Sequence, residues 1–324
     1  MKILADVLSA TVVFAVPLLL VALGGMFSER SGIINIALEG IMIIGALCSC
    51  LVLKALDVSG FGPEHPYLGM SAAIFAAAVS GAVFSLLLAF ASINLKADQT
   101  IGGTALNTLA PAFAIVLTWA IQGQGQTTIL IPTWIRIGSA AADAGFLQRF
   151  VFKNLYLTTP LAIIILIASI IVLYKTRFGL RLRACGEHPS AADSVGINVY
   201  SMRYAGVVIS GILGGIGGLS FTVAAGSGFQ SDVAGYGFLA LAVMIFGNWK
   251  PLNILGAALF FALFKVIGSY AGSIPFLPSF ENVKSATYIY QMLPYIVTMI
   301  VLIFTSQKSR APKAEGIPYD KGSR

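Results

Sequence analysis

Long runs of apolar residues, separated by short polar breaks, recur from one end of the 324-residue chain to the other. Crossing roughly 30 Å of hydrocarbon at 1.5 Å per residue takes about 20 residues of helix. Six stretches meet that length without a single Asp, Glu, Lys or Arg: 7–27, 67–93, 100–122, 155–174, 204–229 and 286–307. Three more are less clean. Residues 33–53 contain Glu39, residues 233–247 are short, and residues 254–271 contain Lys265. The pattern predicts an all-α, polytopic transmembrane bundle of about nine spans, within a range of roughly eight to ten. The amino terminus, Met1-Lys2 followed by a long apolar run without a small-residue cleavage site, reads as a first span and not as a signal peptide.

Composition narrows the class. The chain is 57% hydrophobic and only 10% charged, where soluble domains carry about 25% charge, so an ordinary soluble fold is excluded. A net charge of +7 suggests nucleic acid only until the basic residues are located, because they neither spread along a face nor interleave with aromatics. They concentrate at Lys175, Arg177, Arg181, Arg183 and Arg203, and again at Lys308, Arg310, Lys313, Lys321 and Arg324. The positive-inside rule then predicts that both clusters face the cytoplasm. Four spans must separate them, which the last four apolar runs supply, and counting backwards puts the amino terminus outside. Residues 123–153 and 272–285 are read as outer loops, with Trp134 and Tyr156 as interfacial aromatics. Residues 1–308 make one membrane domain, and residues 309–324, rich in Pro, Gly and charge, read as a cytoplasmic tail too polar to bury and disordered.

The basic loop at 176–203 holds the most informative pattern. Pro189 suits a first helical position, Ser190, Ala191, Ala192 and Asp193 continue the turn, and Gly196 offers a left-handed stop. A short helix lying parallel to the membrane is expected, with acidic Glu187 and Asp193 near its positive end. Such a helix could dock in a groove on a soluble partner, or the segment could be a plain solvated loop carrying positive-inside charge. The residues alone leave both readings open.

The loop from Arg177 to Ile197 resembles the coupling loop of binding-protein-dependent ABC permeases in the branched-chain amino acid, ribose and nucleoside family. The segment Ser28-Glu29-Arg30-Ser31-Gly32-Ile33-Ile34-Asn35-Ile36-Ala37-Leu38-Glu39-Gly40 is similar to the motif that leads into that family's second span. Within the family, Asn35 to Gly40, Tyr236-Gly237-Phe238 and Phe246-Gly247-Asn248-Trp249-Lys250-Pro251 look most like the nucleoside branch, while simple sugars and branched-chain amino acids are the alternative substrates. The resemblance implies a type II-like importer permease in a bacterial inner membrane. It implies two ATP-binding cassette domains holding ATP and Mg, a second and paralogous permease, and an extracytoplasmic binding lipoprotein or periplasmic protein. It also assigns contact with the ATPase to the loop residues Arg183, Gly186, Glu187, Pro189, Ala191, Asp193 and Gly196.

Polar residues inside spans are the candidates for a translocation path. Asn35 and Glu39 share one helix face at a spacing of four, and a carboxylate there must meet protein or water. It either lines the path or clamps a broken helix end. Thr104 and Asn107, near Pro111, and Phe229 with Gln230 bring hydroxyl, amides and an aromatic to expected kinks, where neutral nucleosides could stack and hydrogen-bond. Lys265 reads as a side chain snorkelling to the outer surface. Gly206, Ser210, Gly214 and Gly218 repeat every four residues, the spacing that lets membrane helices approach closely.

Other classes fare less well. No Gly-Lys dipeptide occurs, so the phosphate-cradling loop of an ATPase is missing. No catalytic residue, metal site or cofactor of the chain's own is expected, since three cysteines and two histidines show no ligand spacing. An ion-coupled secondary transporter is the alternative class, and it would have to lean on Glu39.

Overall fold

A computed structural model describes residues 2–137, 155–270 and 311–321, with a few isolated positions besides. The elements in order are α1 (Lys2–Arg30), α2 (Leu38–Val58), α3 (Phe61–Glu64), α4 (Pro66–Ala89, continued by a wide turn at Phe90–Asn94), α5 (Gln99–Gln122), α6 (Thr158–Lys175), α7 (Arg177–Glu187), α8 (Pro189–Ser194), α9 (Val199–Ala225), α10 (Tyr236–Phe246) and α11 (Pro251–Tyr270). Among the described residues, seven helices are long and apolar enough to cross a membrane: α1, α2, α4 with its extension, α5, α6, α9 and α11. The protein is a multi-pass helical bundle.

The expected count of about nine changes in one respect. The run at 233–247 yields α10, whose 11 residues span only about 16 Å, half of a bilayer. The run at 286–307 lies outside the described residues. Because Arg30, Lys175, Arg177 and Val199 all sit where helices meet at one end, that end is called the basic end below.

Helix α9 is the axis, wrapped by α1, α2 and α4, and its small residues set the spacing. A Cβ at Gly214 would stand 2.8 Å from Ile41 Cγ2, and one at Gly218 would stand 2.0 Å from the Met42 carbonyl oxygen. Gly206 faces Ser31 and the Phe27 carbonyl of α1 in the same manner. A second ridge, Gly211 and Gly215, meets Gly81 and Ala77 of α4. Backbones this close gain dispersion contacts that larger side chains would prevent. Helices α5 and α6 lie at the periphery with most of their apolar surface outward, as lipid requires.

Residues 31–37 interrupt what would be a helical hairpin, and they do so while buried. Buried backbone polar groups must be paired, and side chains of α1 and α5 supply the partners. Ser28 Oγ donates to the Ile33 carbonyl at 2.8 Å, Ile34 N donates to Gln99 Oε1 at 2.7 Å, and Asn107 Nδ2 donates to the Ile36 carbonyl at 2.8 Å. Gly32, with φ +97°, makes the turn.

Part of the tail expected to be unstructured is folded onto the basic end. Residues 311–321 hydrogen-bond from Ala314 N to the Gly186 carbonyl at 2.9 Å and from Gly316 N to the Gly32 carbonyl at 3.2 Å. Tyr319 is buried against the Tyr200 ring at 5.6 Å. Composition argued for disorder because it counts polar residues, whereas here their polar groups find partners on three other elements.

Candidate functional site

Two places in the bundle combine polar groups with unusual backbone: the pair of short helices at the basic end, and a helix break at mid-depth.

Thr176 caps α7, its Oγ1 accepting from Gly179 N at 3.2 Å, and α7 ends where Pro189 opens α8 at its first turn. Gly196, at φ +83°, stops the chain beyond α8. α7 itself, eleven residues, was not expected from the sequence, where 177–187 read as loop. Its signal was present in the buried positions Gly179, Leu182, Cys185 and Gly186, three or four apart.

The residues expected to meet an ATPase divide into two groups. Ala191 and Gly196 are exposed, and Pro189 and Asp193 are half-buried. Gly186 is buried instead, so close to α1 that an added Cβ would lie 2.3 Å from the Arg30 carbonyl oxygen. Glu187 approaches Arg30 at 3.9 Å, and the Arg183 guanidinium lies 5.4 Å from the Tyr174 ring centroid. These three tie the short helices to the membrane bundle. Val195, 75% exposed at the tip, escaped the sequence reading because one apolar residue in a polar loop carries no periodic signal.

The tail binds the same region. Lys321 lies 3.8 Å from Asp193, and Asp320 accepts from Lys96 at 2.8 Å, which raises the Lys96 ammonium pKa above its ordinary value. Glu315 is hydrogen-bonded to Glu29, near Arg30, and Glu29 in turn accepts from the Trp249 indole N–H. Burial pushes the Glu315 carboxyl above its usual range, with the Glu29 contact and the Arg30 guanidinium pulling it back. Burial likewise raises the Cys185 thiol, opposed by Arg203.

The mid-depth break is built on Glu39. Its two carboxylate oxygens accept from Gly235 N at 2.8 Å and Gly237 N at 2.6 Å, so it caps the start of α10. Depth follows from neighbours on α9. Asn35 Nδ2 donates to Ser210 Oγ at 2.8 Å and Ile41 lies beside Gly214, positions roughly 16 to 23 Å up a helix about 40 Å long. The length of α10 agrees, since about 16 Å separates its capped start from Trp249, whose carbonyl accepts from Arg30 at the basic end. Two helix N-termini, those of α2 and α10, therefore meet near the middle of the bundle.

Of the sequence candidates, Asn35, Glu39 and Asn107 converge here, with Asn107 Oδ1 also accepting from Gly40 N at 2.8 Å. They serve the two broken helices. Thr104 is exposed on α5 with its hydroxyl bonded back to the Thr100 and Ile101 carbonyls. Phe229 is fully buried, its backbone paired with Ile129, while Gln230 beside it is exposed. Lys265 corrects the expectation of a surface cation. It lies about 21 Å from the start of α11, with its ammonium 5.8 Å from the Tyr236 ring centroid, so it is held at mid-depth by an aromatic face. Among the described residues no group of His, Cys, Asp and Glu could hold a metal ion.

A many-helix bundle in which two helix N-termini meet at mid-depth, with short helices projecting at its basic end, has the organisation of a membrane permease. The chain belongs to the family of permease components of branched-chain amino acid transport systems, whose model matches residues 7–304. It is 44% identical to the guanosine ABC transporter permease protein NupQ of Bacillus subtilis, over 100% of this chain and 99% of that one. It is 41% identical to the nucleoside ABC transporter permease protein NupC of Lactococcus lactis, over 95% of each, and 26% identical to that organism's NupB, over 95% of this chain and 84% of NupB. No solved structure matches.

Proposed function

We propose that this chain is the membrane-spanning subunit of an ATP-driven nucleoside importer. The observation that carries the reading is the 44% identity to a guanosine permease along the whole chain. The geometry supports it. Helix N-termini at mid-depth commonly attract anionic groups on a substrate, and Glu39 offsets the positive ends of both α2 and α10. A path so neutralised suits an uncharged, hydroxyl-rich solute better than an anion.

In this reading the fold is of the type II-like importer class. Two ATP-binding cassette subunits carry ATP and Mg and dock beneath α7 and α8, with Ala191, Val195 and Gly196 outermost and Asp193 at the rim. Gly186 and Glu187 pass their motion to α1, and Arg183 to α6. A second permease, a paralogue as NupB is to NupC in one organism, completes the path, and an extracytoplasmic binding protein delivers substrate. The basic end and tail face the cytoplasm of a bacterium.

The test is reconstitution with the partner subunits in proteoliposomes, measuring ATP-dependent uptake and ligand-stimulated ATPase with guanosine, cytidine, ribose and leucine. Stimulation by nucleosides is expected. Stimulation by leucine alone would overturn the substrate, and uptake independent of ATP would overturn the class.

A further inference from the structure

We infer that Asp232 is a substrate-contacting residue of the translocation path, its carboxylate accepting hydroxyl groups of the ribose. The inference rests on the nucleoside reading above and goes beyond it in naming a residue and a chemical contact.

The segment 226–235 returns the chain from the far end of α9 to the mid-depth start of α10. Along it, buried Phe229, Ser231 and Val233 alternate with outward Gln230, Asp232 and Ala234. Ser231 and Ala234 hold positive φ values of 61° and 52°, which cost non-glycine residues energy and recur at functional sites. Three buried neighbours and two strained joints fix which face Asp232 presents. Its Oδ1 accepts from Ala234 N at 2.7 Å, which sets the side-chain rotamer.

Depth makes the exposure meaningful. Asp232 lies three residues from Gly235, whose N–H is bound by Glu39, and within electrostatic reach of that carboxylate. An exposed carboxylate near the middle of a bilayer cannot face hydrocarbon without a cost of several kcal/mol. The face that carries Gln230 and Asp232 must therefore meet water or the second subunit, which are the two walls of a permease path.

Of the acidic residues the structure describes, Glu39 and Asp232 occupy this depth, and both Glu39 oxygens are engaged by backbone N–H groups. Asp232 is thus the carboxylate placed to receive a solute. Vicinal hydroxyls donating to a carboxylate form charge-assisted bonds, stronger than those to an amide. The same charge repels phosphorylated nucleotides.

The experiment compares wild type, Asp232→Asn and Asp232→Glu in the fully reconstituted transporter. Asp232→Asn keeps an acceptor for Ala234 N, so the loop stays capped. Its guanosine uptake is expected to fall about tenfold, the loss of a hydrogen bond to a charged group, with stimulated ATPase retained. The ratio of guanosine to 2′-deoxyguanosine uptake should narrow, and Asp232→Glu should recover much of the rate. Unchanged uptake or ratio in Asp232→Asn, or equal impairment in Asp232→Glu, overturns the inference. A wild type without ATP-dependent nucleoside uptake would instead sink the broader reading.

Discussion

Glu39 shows how one side chain can be read two ways until its partners are known. From spacing alone both a path lining and a clamp are open, with the clamp favoured, and its bonds to Gly235 and Gly237 make it the cap of α10. Replacing it by Gln would turn one acceptor into a donor facing an N–H. Glu39→Gln should therefore lower stability by about 1–3 kcal/mol, seen as an earlier thermal unfolding transition in detergent. An ion-coupled carrier would instead lose coupling with its unfolding transition in place. Gly215 is a second residue-scale case, because its Cβ would stand 2.0 Å from the Ala77 carbonyl oxygen. Gly215→Ala must push α4 off α9 and should cost about 1–3 kcal/mol by overpacking, measured by the same transition. The glycine spacing was legible in the sequence because period four is a local signal, whereas the alternation at 229–234 was hidden by its departure from regular strand geometry.

Between elements, the contact most open to test is the tail against α7, α8 and the turn at Gly32. Glu315 binds its proton more tightly when docked than when released, because burial raises its pKa. The docked state therefore gains from this group at low pH, and the gain is lost as pH rises through the raised value. Hydrogen exchange at residues 311–321, measured in membranes and corrected for the intrinsic rate, should quicken with rising pH above the ordinary glutamate range. Glu315→Gln should flatten that dependence, since the amide is neutral throughout. Lys96 and Asp320, an exposed pair, add little and should respond mainly to salt. No sequence pattern pointed to this docking, as the tail's partners lie more than a hundred residues away.

For the molecule as a whole, the arrangement across the membrane rests on α7 and α8 facing the same side as the tail. Native Cys185 is fully buried and so makes a poor reporter of side. Ser194 is exposed at the end of α8, and Ser194→Cys should react with an impermeant maleimide in inside-out vesicles and stay unreactive in intact cells. Labelling in intact cells would invert the assignment. The same bundle explains why the run at 233–247 reads as a span in sequence and is not one. The apolar run continues into Gly247 without a charge, and only the cap at Gly235 and the break before it shorten the helix to 11 residues.

Hydrophobic run length, glycine spacing and the proline signal, all local properties, were enough to determine a polytopic helical membrane protein, its long spans among the described residues, its close-packed glycine ridge and the short helix begun by Pro189. Which helices break, where Glu39, Asp232 and Lys265 sit in depth, and what the tail binds were decided only by tertiary structure. Those outcomes depend on pairing buried backbone and charge with partners far away in the chain, and no window of neighbouring residues contains them.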